Sequence, residues 1–501
     1  MKKTILIIIF GFTVFLGVNS QNVDDALRYS QLFYSGTARF NAMGGAFTAL
    51  GGDLSSLSLN PAGIGVYRSF EITVTPQLVY NNIQSTFNST GSSDLRYRFN
   101  LGQMGFVANI ISNTNSTGLI NLNVGYSFMR TNNFNQNIAI SGISNNSSMA
   151  DYWTDQSQGT YFRDLTGAAG IAYDAYVLDT IAGTGGKNYG SILSNYGENT
   201  NSTYGQLIKR VIDNEGFTGE HAISVGGNYS NKLYFGATLG INSLHYTGHF
   251  QHIEDDINNV IPDFQNFSYT DHLEASGTGY GLKLGAIIKP VEFLRIGLAF
   301  HTPVVYRIHE YFYDNITSAF DNLNPARDRV SYAYEESNSP LRYNYTLTTP
   351  LRALAGVAFQ IKKLAILSVD YEFVDYRMAK FSNASDDYNY DIENQAIKDI
   401  LKSASNIRLG AEFRVNNAFY LRGGYGYYGK ALKSGELNDN LSFNSISVGI
   451  GFRQQNFLLD LAFTSMSDSQ KYLMYYDPGR LNPSTINTTR SIFTATLGYK
   501  F

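Results

Sequence analysis

Cysteine is absent from this 501-residue chain, tryptophan occurs once, and charged residues make up only 16% of the sequence. Without cysteine the chain can form no disulfide bonds and can carry no lipid on an N-terminal cysteine. The formal net charge is −4, so the chain lacks the excess of positive charge that is typical of nucleic-acid-binding proteins, and no nucleic-acid partner is expected. Beyond the N-terminus, no stretch is apolar enough for a membrane-spanning helix.

Motifs for catalysis are also missing. The sequence has no Gly-x-Ser-x-Gly elbow and no phosphate-binding loop on a strand–helix unit. With no cysteine nucleophile either, it predicts neither an enzyme nor a bound cofactor.

The N-terminus "MKKTILIIIFGFTVFLGVNSQ" has the layout of a secretory signal. Lys2 and Lys3 precede an apolar run over residues 4–18, and small residues follow before Gln21. We therefore predict a cleaved signal peptide over residues 1–20 and an exported mature protein.

What the chain has in abundance is strict alternation of apolar and polar residues. The closing stretch "SIFTATLGYKF" places Phe493, Leu497 and Phe501 on one face and Thr494 and Thr496 on the other. A sandwich strand beside a core would alternate in the same way, and so would a strand between lipid and a lumen. The same pattern recurs near residues 70–80, 99–110, 119–128, 221–229, 233–242, 279–288, 291–300, 351–361, 364–373, 406–415, 418–428, 444–453 and 457–464.

The connections between these fourteen segments are of two kinds. Turns inside six hairpins are mostly two or three residues long. Links between hairpins are long, near residues 82–94, 131–218, 248–275, 304–345, 377–404, 429–441 and 467–488. Short turns on one rim and long loops on the other are typical of outer-membrane barrels. We predict an all-β, 14-stranded antiparallel transmembrane β-barrel over residues 69–501, embedded in outer-membrane lipid, with its largest loop over residues 131–218.

Residues 21–68 precede the first strand and do not alternate. They contain a predicted short helix near residues 23–34, paired glycines and an apolar series that includes Phe47, Leu50, Leu54 and Leu57. Fourteen strands enclose more space than wall side chains fill, and the apolar series requires burial. We expect this segment to be a hatch that plugs the lumen, and we predict its apolar residues Phe47, Leu50, Leu54 and Leu57 as contacts for a bound substrate.

The stretch "TARFNAMGGAFTALGGDLSSLSLNPAGIGVYRS" resembles the hatch of the FadL/TodX family of outer-membrane transporters. Its Asn60-Pro61-Ala62 element, the preceding "MGGAFTAL" and the C-terminal Phe501 carry the resemblance. The resemblance implies passive transport of hydrophobic or amphiphilic small molecules, such as long-chain fatty acids, with the hatch gating the lumen. It also implies sideways release of cargo, which draws attention to a predicted bulge in the second strand between Gly102 and Gly105.

The main alternative is a barrel that transports nothing and serves as a subunit of a larger secretion or assembly complex with other outer-membrane proteins. Loop 131–218 would then be a docking surface instead of a cargo lid. Purification in mild detergent distinguishes the two, because only the second predicts a stable large complex.

Inward-facing charges supply candidate binding residues. Arg352 with Glu372, and Glu412 with Arg422, stand at matching heights on paired strands and are expected to brace the wall. Lys283 and Arg295 face inward with no acid on either strand or on the preceding one, so they could hold an anionic head group. The competing expectation is that a hatch acid such as Asp53 neutralises both cations.

Three histidines are close in sequence in "HYTGHFQH": His245, His249 and His252. A surface metal or haem site is one interpretation of this spacing, and scattered histidines at the base of a polar loop are the other. The sequence leaves metal or haem binding as a minor alternative function.

Overall fold

The structure is a computed structural model that describes residues 22–113, 117–199, 201–321, 334–385, 388–477 and 479–501. The predicted signal peptide, residues 1–20, lies outside the described residues. Within the described ranges no helix is both long and apolar enough to cross a membrane.

Helices are short and lie in the N-terminal segment and in connections between strands. The α-helices of the described residues are α1 (Val23–Ser30), α2 (Ala38–Ala42), α3 (Ser56–Leu59), α4 (Met149–Ser157), α5 (Gly167–Asp174) and α6 (Asp391–Ile400). Single 3-10 turns cover Pro61–Val66, Phe162–Asp164, Ile192–Ser194 and Tyr376–Met378.

Strands make up most of the remainder. They are β1 (Glu71–Phe87), β2 (Thr90–Ser112), β3 (Leu119–Asn133), β4 (Gln136–Ile143), β5 (Leu178–Thr180), β6 (Tyr189–Ser191), β7 (Leu207–Tyr229), β8 (Leu233–Asp255), β9 (Phe264–Val291), β10 (Leu294–His301), β11 (Val305–Phe320), β12 (Tyr334–Ser337), β13 (Leu341–Thr348), β14 (Arg352–Ile361), β15 (Ala365–Asp375), β16 (Lys380–Ser382), β17 (Ser403–Arg414), β18 (Phe419–Tyr428), β19 (Phe443–Gln454), β20 (Phe457–Tyr472) and β21 (Ser484–Lys500).

Fourteen of these strands form a closed antiparallel barrel. The order around the wall is β1, β2, β3, β7, β8, β9, β10, β14, β15, β17, β18, β19, β20 and β21, and β21 pairs back onto β1. Strands β4, β11, β12, β13 and β16 extend the wall on the side of the long connections. Closure removes open edges, which a barrel needs in lipid. The predicted fold class is confirmed.

The alternation in the sequence matches the two faces of the wall. On β21, Phe493 and Leu497 are half exposed outward, whereas Thr494 and Thr496 are buried toward the lumen. The same outward apolar and inward polar pattern holds along the other wall strands, as in β8 and β20. The outward band is the surface that meets hydrocarbon.

The wall is irregular where β1 meets β2. Thr75 pairs with Gln103 but Pro76 pairs with Leu101, so Gly102 is the extra residue of a bulge. Thr75 and Pro76 are also the two residues of β1 that do not pair with β21, since that pairing stops at Val74 and resumes at Gln77. Proline has no N–H to donate, which accounts for part of this gap. The predicted bulge is therefore present.

The long connections are shorter than predicted because the strands continue into them. Residues 82–94 form a tight turn at Asn88 and Ser89, both with positive φ. In the predicted loop 131–218, strands β3, β4 and β7 take up both ends, which leaves residues 144–206 as a loop above the barrel, named the lid for its position alone. Above the lipid both strand faces are polar, so the apolar alternation that marks a strand disappears while the hydrogen-bonded ladder goes on.

The lid of residues 144–206 shares a hydrophobic core with the upper part of the barrel wall. Trp153 of α4 is buried against Phe267 and Tyr269 of β9, with ring centroids 5.5 and 5.3 Å away. Glu254 at the end of β8 accepts hydrogen bonds from the Met149 N–H at 2.6 Å and from Ser148 Oγ at 2.7 Å. The lid is thus fixed to the top of the barrel wall.

Candidate functional site

The N-terminal segment, residues 22–68, lies inside the barrel as a hatch. Helix α1 is at the upper end of the lumen, where Tyr29 packs edge-on against Phe134 and Tyr246 of the wall. The segment leaves at the rim of short turns, where the Phe501 N–H donates to the Phe70 carbonyl at 3.0 Å. The hatch therefore runs the length of the lumen.

Asn60-Pro61-Ala62 anchors the hatch to strands β8 and β9. Asn60 Oδ1 accepts from the Ala62 N–H at 3.1 Å, and its Nδ2 donates to the carbonyls of Thr48 at 2.6 Å and Ala286 at 3.3 Å. Gly285 lies directly against this element, and a Cβ there would overlap Asn60 Oδ1. The motif thus needs glycine in the facing wall.

The apolar hatch residues predicted to contact cargo are buried. Phe47, Leu54 and Leu57 have no exposed surface, and Leu50 is 5% exposed. Phe47 and Leu50 pack in one cluster with wall residues such as Met129, and Leu54 and Leu57 pack in another with Val107. In this structure they pack between the hatch and the wall.

A chain of ion pairs ties hatch to wall. Arg39 of α2 donates from Nε and Nη2 to both oxygens of Glu412, at 2.8 and 3.1 Å. Glu412 also accepts from Arg422 at 2.7 Å, which is one of the predicted wall pairs, and Arg422 and Arg453 both donate to Asp460. The other predicted pair, Arg352 with Glu372, is also formed, and Arg408 joins it.

The expectation that Lys283 lacks an acidic partner is wrong. Its Nζ lies 2.5 Å from Oε2 of Glu220 on β7, two strands away, and donates to the Ser58 carbonyl at 2.7 Å. Arg295 donates to the Leu50 carbonyl at 2.6 Å. Asp53 instead accepts from Thr37 Oγ1 and the Ser55 N–H. Both cations therefore hold hatch backbone.

The three histidines do not form a site together. His245 and His249 face outward on β8, whereas His252 faces inward and is fully buried. His252 accepts from Arg210 Nε at 3.2 Å and contacts Glu254 at 3.1 Å. His252 comes three positions after His249, and an odd offset places two residues on opposite faces of a strand. Among the described residues, no group of three or more potential ligands is close enough to hold a metal ion.

A large cavity opens above the hatch. It has a volume of about 750 Å³ and is lined by both charged and aromatic side chains, among them Asp24, Arg28, Phe33, Phe250 and Phe443. We call it the vestibule. A small cavity of about 30 Å³ lies beneath α1, beside Lys283 and Glu220. Further cavities of about 190 and 160 Å³ lie toward the rim of short turns.

Sequence reasoning missed Arg39 and Glu220. Arg39 is the one charged residue in the stretch "ARFNAMGGAF", and its isolation there was the available signal. Glu220 lies above the segment that alternates, so counting along neighbouring strands did not reach it.

A closed barrel with an apolar outer band and a hatch sealed into its lumen defines the class of plugged outer-membrane transport barrels. The family model described as "Outer membrane protein transport protein (OMPP1/FadL/TodX)" matches residues 215–501. The chain belongs to this family. It is accordingly an outer-membrane protein of a transport family and not an enzyme.

Solved structures share the fold at low sequence identity. A Pseudomonas aeruginosa FadL homologue is 12% identical over 94% of this chain and 99% of that one, with a TM-score of 0.54. The P. putida toluene transporter TodX is 11% identical over 93% and 98%, with a TM-score of 0.52. The CymD monoaromatic hydrocarbon channel is 10% identical over 93% and 97%, with a TM-score of 0.51. A search of curated proteins finds no significant match.

Proposed function

We propose that this protein passively carries hydrophobic compounds across the outer membrane, and that movement of the hatch opens the path. The observation that supports this most is the vestibule of about 750 Å³ directly above the hatch that occupies the lumen. Binding sites for small molecules are usually about 300–1,000 Å³, so the vestibule has the size of a site for an amphiphile.

The lining of the vestibule suits an amphiphile. Phe33, Phe250 and Phe443 offer apolar contact, and Arg28 and Lys471 offer positive charge near the mouth. Arg28 already lies 2.5 Å from Asp25, which leaves Lys471 as the more available partner for an acidic head group. Cargo would rest here before the hatch moves.

Displacement of the hatch would change which side chains are exposed to cargo in the lumen. Phe47, Leu50, Leu54 and Leu57 would lose their wall contacts and become apolar surface for cargo. Lys283 and Arg295 would lose the Ser58 and Leu50 carbonyls. An anionic head group could then take the place of those carbonyls, since charge-assisted contacts are the stronger ones.

The hatch also covers an edge of the wall. Pairing of β2 with β3 ends at Gln103 and Met129, and above this point hatch residues bond to β3 instead. The Phe33 N–H donates to the Thr131 carbonyl at 2.6 Å and the Ser35 N–H to the Arg130 carbonyl at 2.9 Å. Movement of the hatch would uncover this edge next to the Gly102 bulge. We place the sideways exit there.

Two cargo classes deserve comparison. The family resemblance points to long-chain fatty acids, and the printed names of TodX and CymD point to toluene and monoaromatic hydrocarbons for those proteins. The aromatic rings of the vestibule fit either class. Its cations are accompanied by four aspartates (Asp24, Asp25, Asp271 and Asp468), so a carboxylated chain would have to place its head group at a single cation such as Lys471.

Uptake into liposomes tests the proposal. Purified protein is reconstituted, and entry of a long-chain fatty acid, of toluene and of a sugar of similar size is followed against empty liposomes. We expect acceleration for the fatty acid, less for toluene and none for the sugar. No acceleration for either hydrophobic compound, together with a stable large complex in mild detergent, would favour the subunit role instead.

A further inference from the structure

The barrel wall is much taller on one side than on the other. Strands β7 and β8 have 23 residues each and β9 has 28, whereas β14 and β18 have 10. A strand needs only about 9–11 residues to cross the hydrocarbon core. The tall side therefore projects beyond the hydrocarbon on the side of the lid.

The upper limit of the apolar band is visible on this side. Outward residues of β9 are exposed and apolar up to Tyr280, which lies opposite Val305 of β11. The next outward pair is Thr278 with Arg307. Tyrosine is favoured at the level of lipid head groups, so Arg307 begins the first row above the hydrocarbon.

Above this limit the outward surface is rich in cationic and potentially cationic groups. We define the basic face as the outward side chains of the first rows above Tyr280: Ser243, His245, Thr247, His249, His272, Glu274, Ser276, Thr278, Arg307, His309, Tyr311, Tyr313, Arg342 and Asn344. Two arginines and four histidines thus share this surface with one carboxylate of its own. That carboxylate, Glu274, is 2.9 Å from His272. The adjoining strand β7 adds Asp213 and Glu215 in the same rows, and these two are paired with Arg96 and Arg98.

The two arginines are available to a ligand from outside. Arg307 and Arg342 are exposed, and neither has an acidic partner among the residues that the structure describes. Arg342 lies over the ring of Tyr311, 5.9 Å from its centre. His309 is held by Asn344 at 2.5 Å. A planar guanidinium binds phosphate through two parallel hydrogen bonds, and neighbouring rings and hydroxyls suit a sugar.

We propose that the basic face binds the phosphorylated head groups of lipids in the outer leaflet, with Arg307 and Arg342 as the phosphate ligands. The face begins where the hydrocarbon band ends, so the head-group layer lies against it. Basic groups at this level attract anionic lipids, and basic pockets bind specific head groups. The bound lipid would seal the tall side of the barrel and orient the protein in the membrane. This role is separate from cargo transport.

Native mass spectrometry of the detergent-solubilised full chain tests the proposal. The probe is a phosphorylated glycolipid of the outer leaflet, with its dephosphorylated form as the matched ligand. Arg307→Gln with Arg342→Gln is compared with Arg163→Gln with Arg377→Gln, which removes the same charge from exposed arginines of the lid and of the 3-10 turn after β15.

We expect the first double variant to bind the phosphorylated lipid about 10- to 30-fold more weakly, and the second to bind it as the wild type does. Binding of the dephosphorylated lipid should be the same in all three. Equal losses in both double variants, or equal binding of the two lipids by the wild type, would overturn the proposal. Competition by inorganic phosphate at the affinity of the lipid would reduce the face to a general anion site and overturn the lipid assignment.

A second measurement does not depend on the folding of variants. Binding of the phosphorylated lipid to the wild type should weaken as salt is raised, while binding of the dephosphorylated lipid should not change. Salt independence of both would contradict the proposal. Fatty-acid uptake should persist in the Arg307/Arg342 variant, so failure of transport and failure of lipid binding can be told apart.

Discussion

Removal of the Arg39 guanidinium should release the hatch. Arg39 is largely buried and makes two charge-assisted hydrogen bonds to Glu412 and a third contact to the Gly52 carbonyl at 3.3 Å. Glu412 keeps Arg422 in the variant, so its charge stays partly compensated. We expect Arg39→Gln to cost about 3 kcal/mol of hatch closure, within the range for breaking a buried pair. This free energy corresponds to a change of about 100-fold in the ratio of closed to open hatch.

The assay is the labelling rate of a single thiol placed at Leu57, which is fully buried in the closed state. The natural absence of cysteine makes this thiol the sole reactive group. Labelling should be about 100-fold faster in Leu57→Cys with Arg39→Gln than in Leu57→Cys alone. The control is Arg453→Gln, which breaks a pair with Asp460 between two wall strands. Equal acceleration by both variants, or less than about threefold by the first, would refute the reasoning.

Three further predictions follow from single residues. Deletion of Phe501, or its replacement by aspartate, should impair membrane insertion and the heat-modifiable gel shift, because its N–H and ring close the barrel against Phe70. Gly285→Val should displace Asn60 and give a leaky channel in planar-bilayer recordings, while Gly281→Val, above the motif, should stay closed. Burial raises the pKa of Asp151 in the lid to about 6. The stability that its protonated form confers is complete below about pH 4 and is lost as the pH rises through 6. Protease protection of the lid should fall over that interval in the wild type and stay flat in Asp151→Asn.

The barrel could be predicted because lipid imposes one rule on every spanning strand. Apolar residues must alternate outward, and stretches such as the one ending at Phe501 record that rule directly. The rule applies only to residues inside the hydrocarbon layer, and strand residues beyond it need not alternate. For this reason the upper halves of β8 and β9, with His249 and His272 facing outward, were predicted as loop.

The site was harder to predict because its contacts cross the lumen. Glu412 and Arg422 lie opposite each other on paired strands, so counting from the short turn was sufficient to find them. Glu220 reaches Lys283 across the intervening strand, and Arg39 reaches Glu412 from the hatch. Neither contact can be predicted from local periodicity, because periodicity shows which face of the strand a side chain lies on and not which residue it pairs with.

The central claim is that movement of the hatch opens the path. Uptake measured while the hatch is covalently locked to the barrel wall tests this claim most directly. Ala42 of the hatch and Ala462 of β20 pack in one cluster, so a cysteine pair is introduced at these positions in a chain with no other cysteine, and the variant is used once its disulfide has formed on oxidation. In liposomes, fatty-acid uptake by the oxidised double variant should fall to the rate of protein-free vesicles and return on reduction, while each single variant should behave as the wild type. Undiminished uptake through the locked barrel would contradict the account.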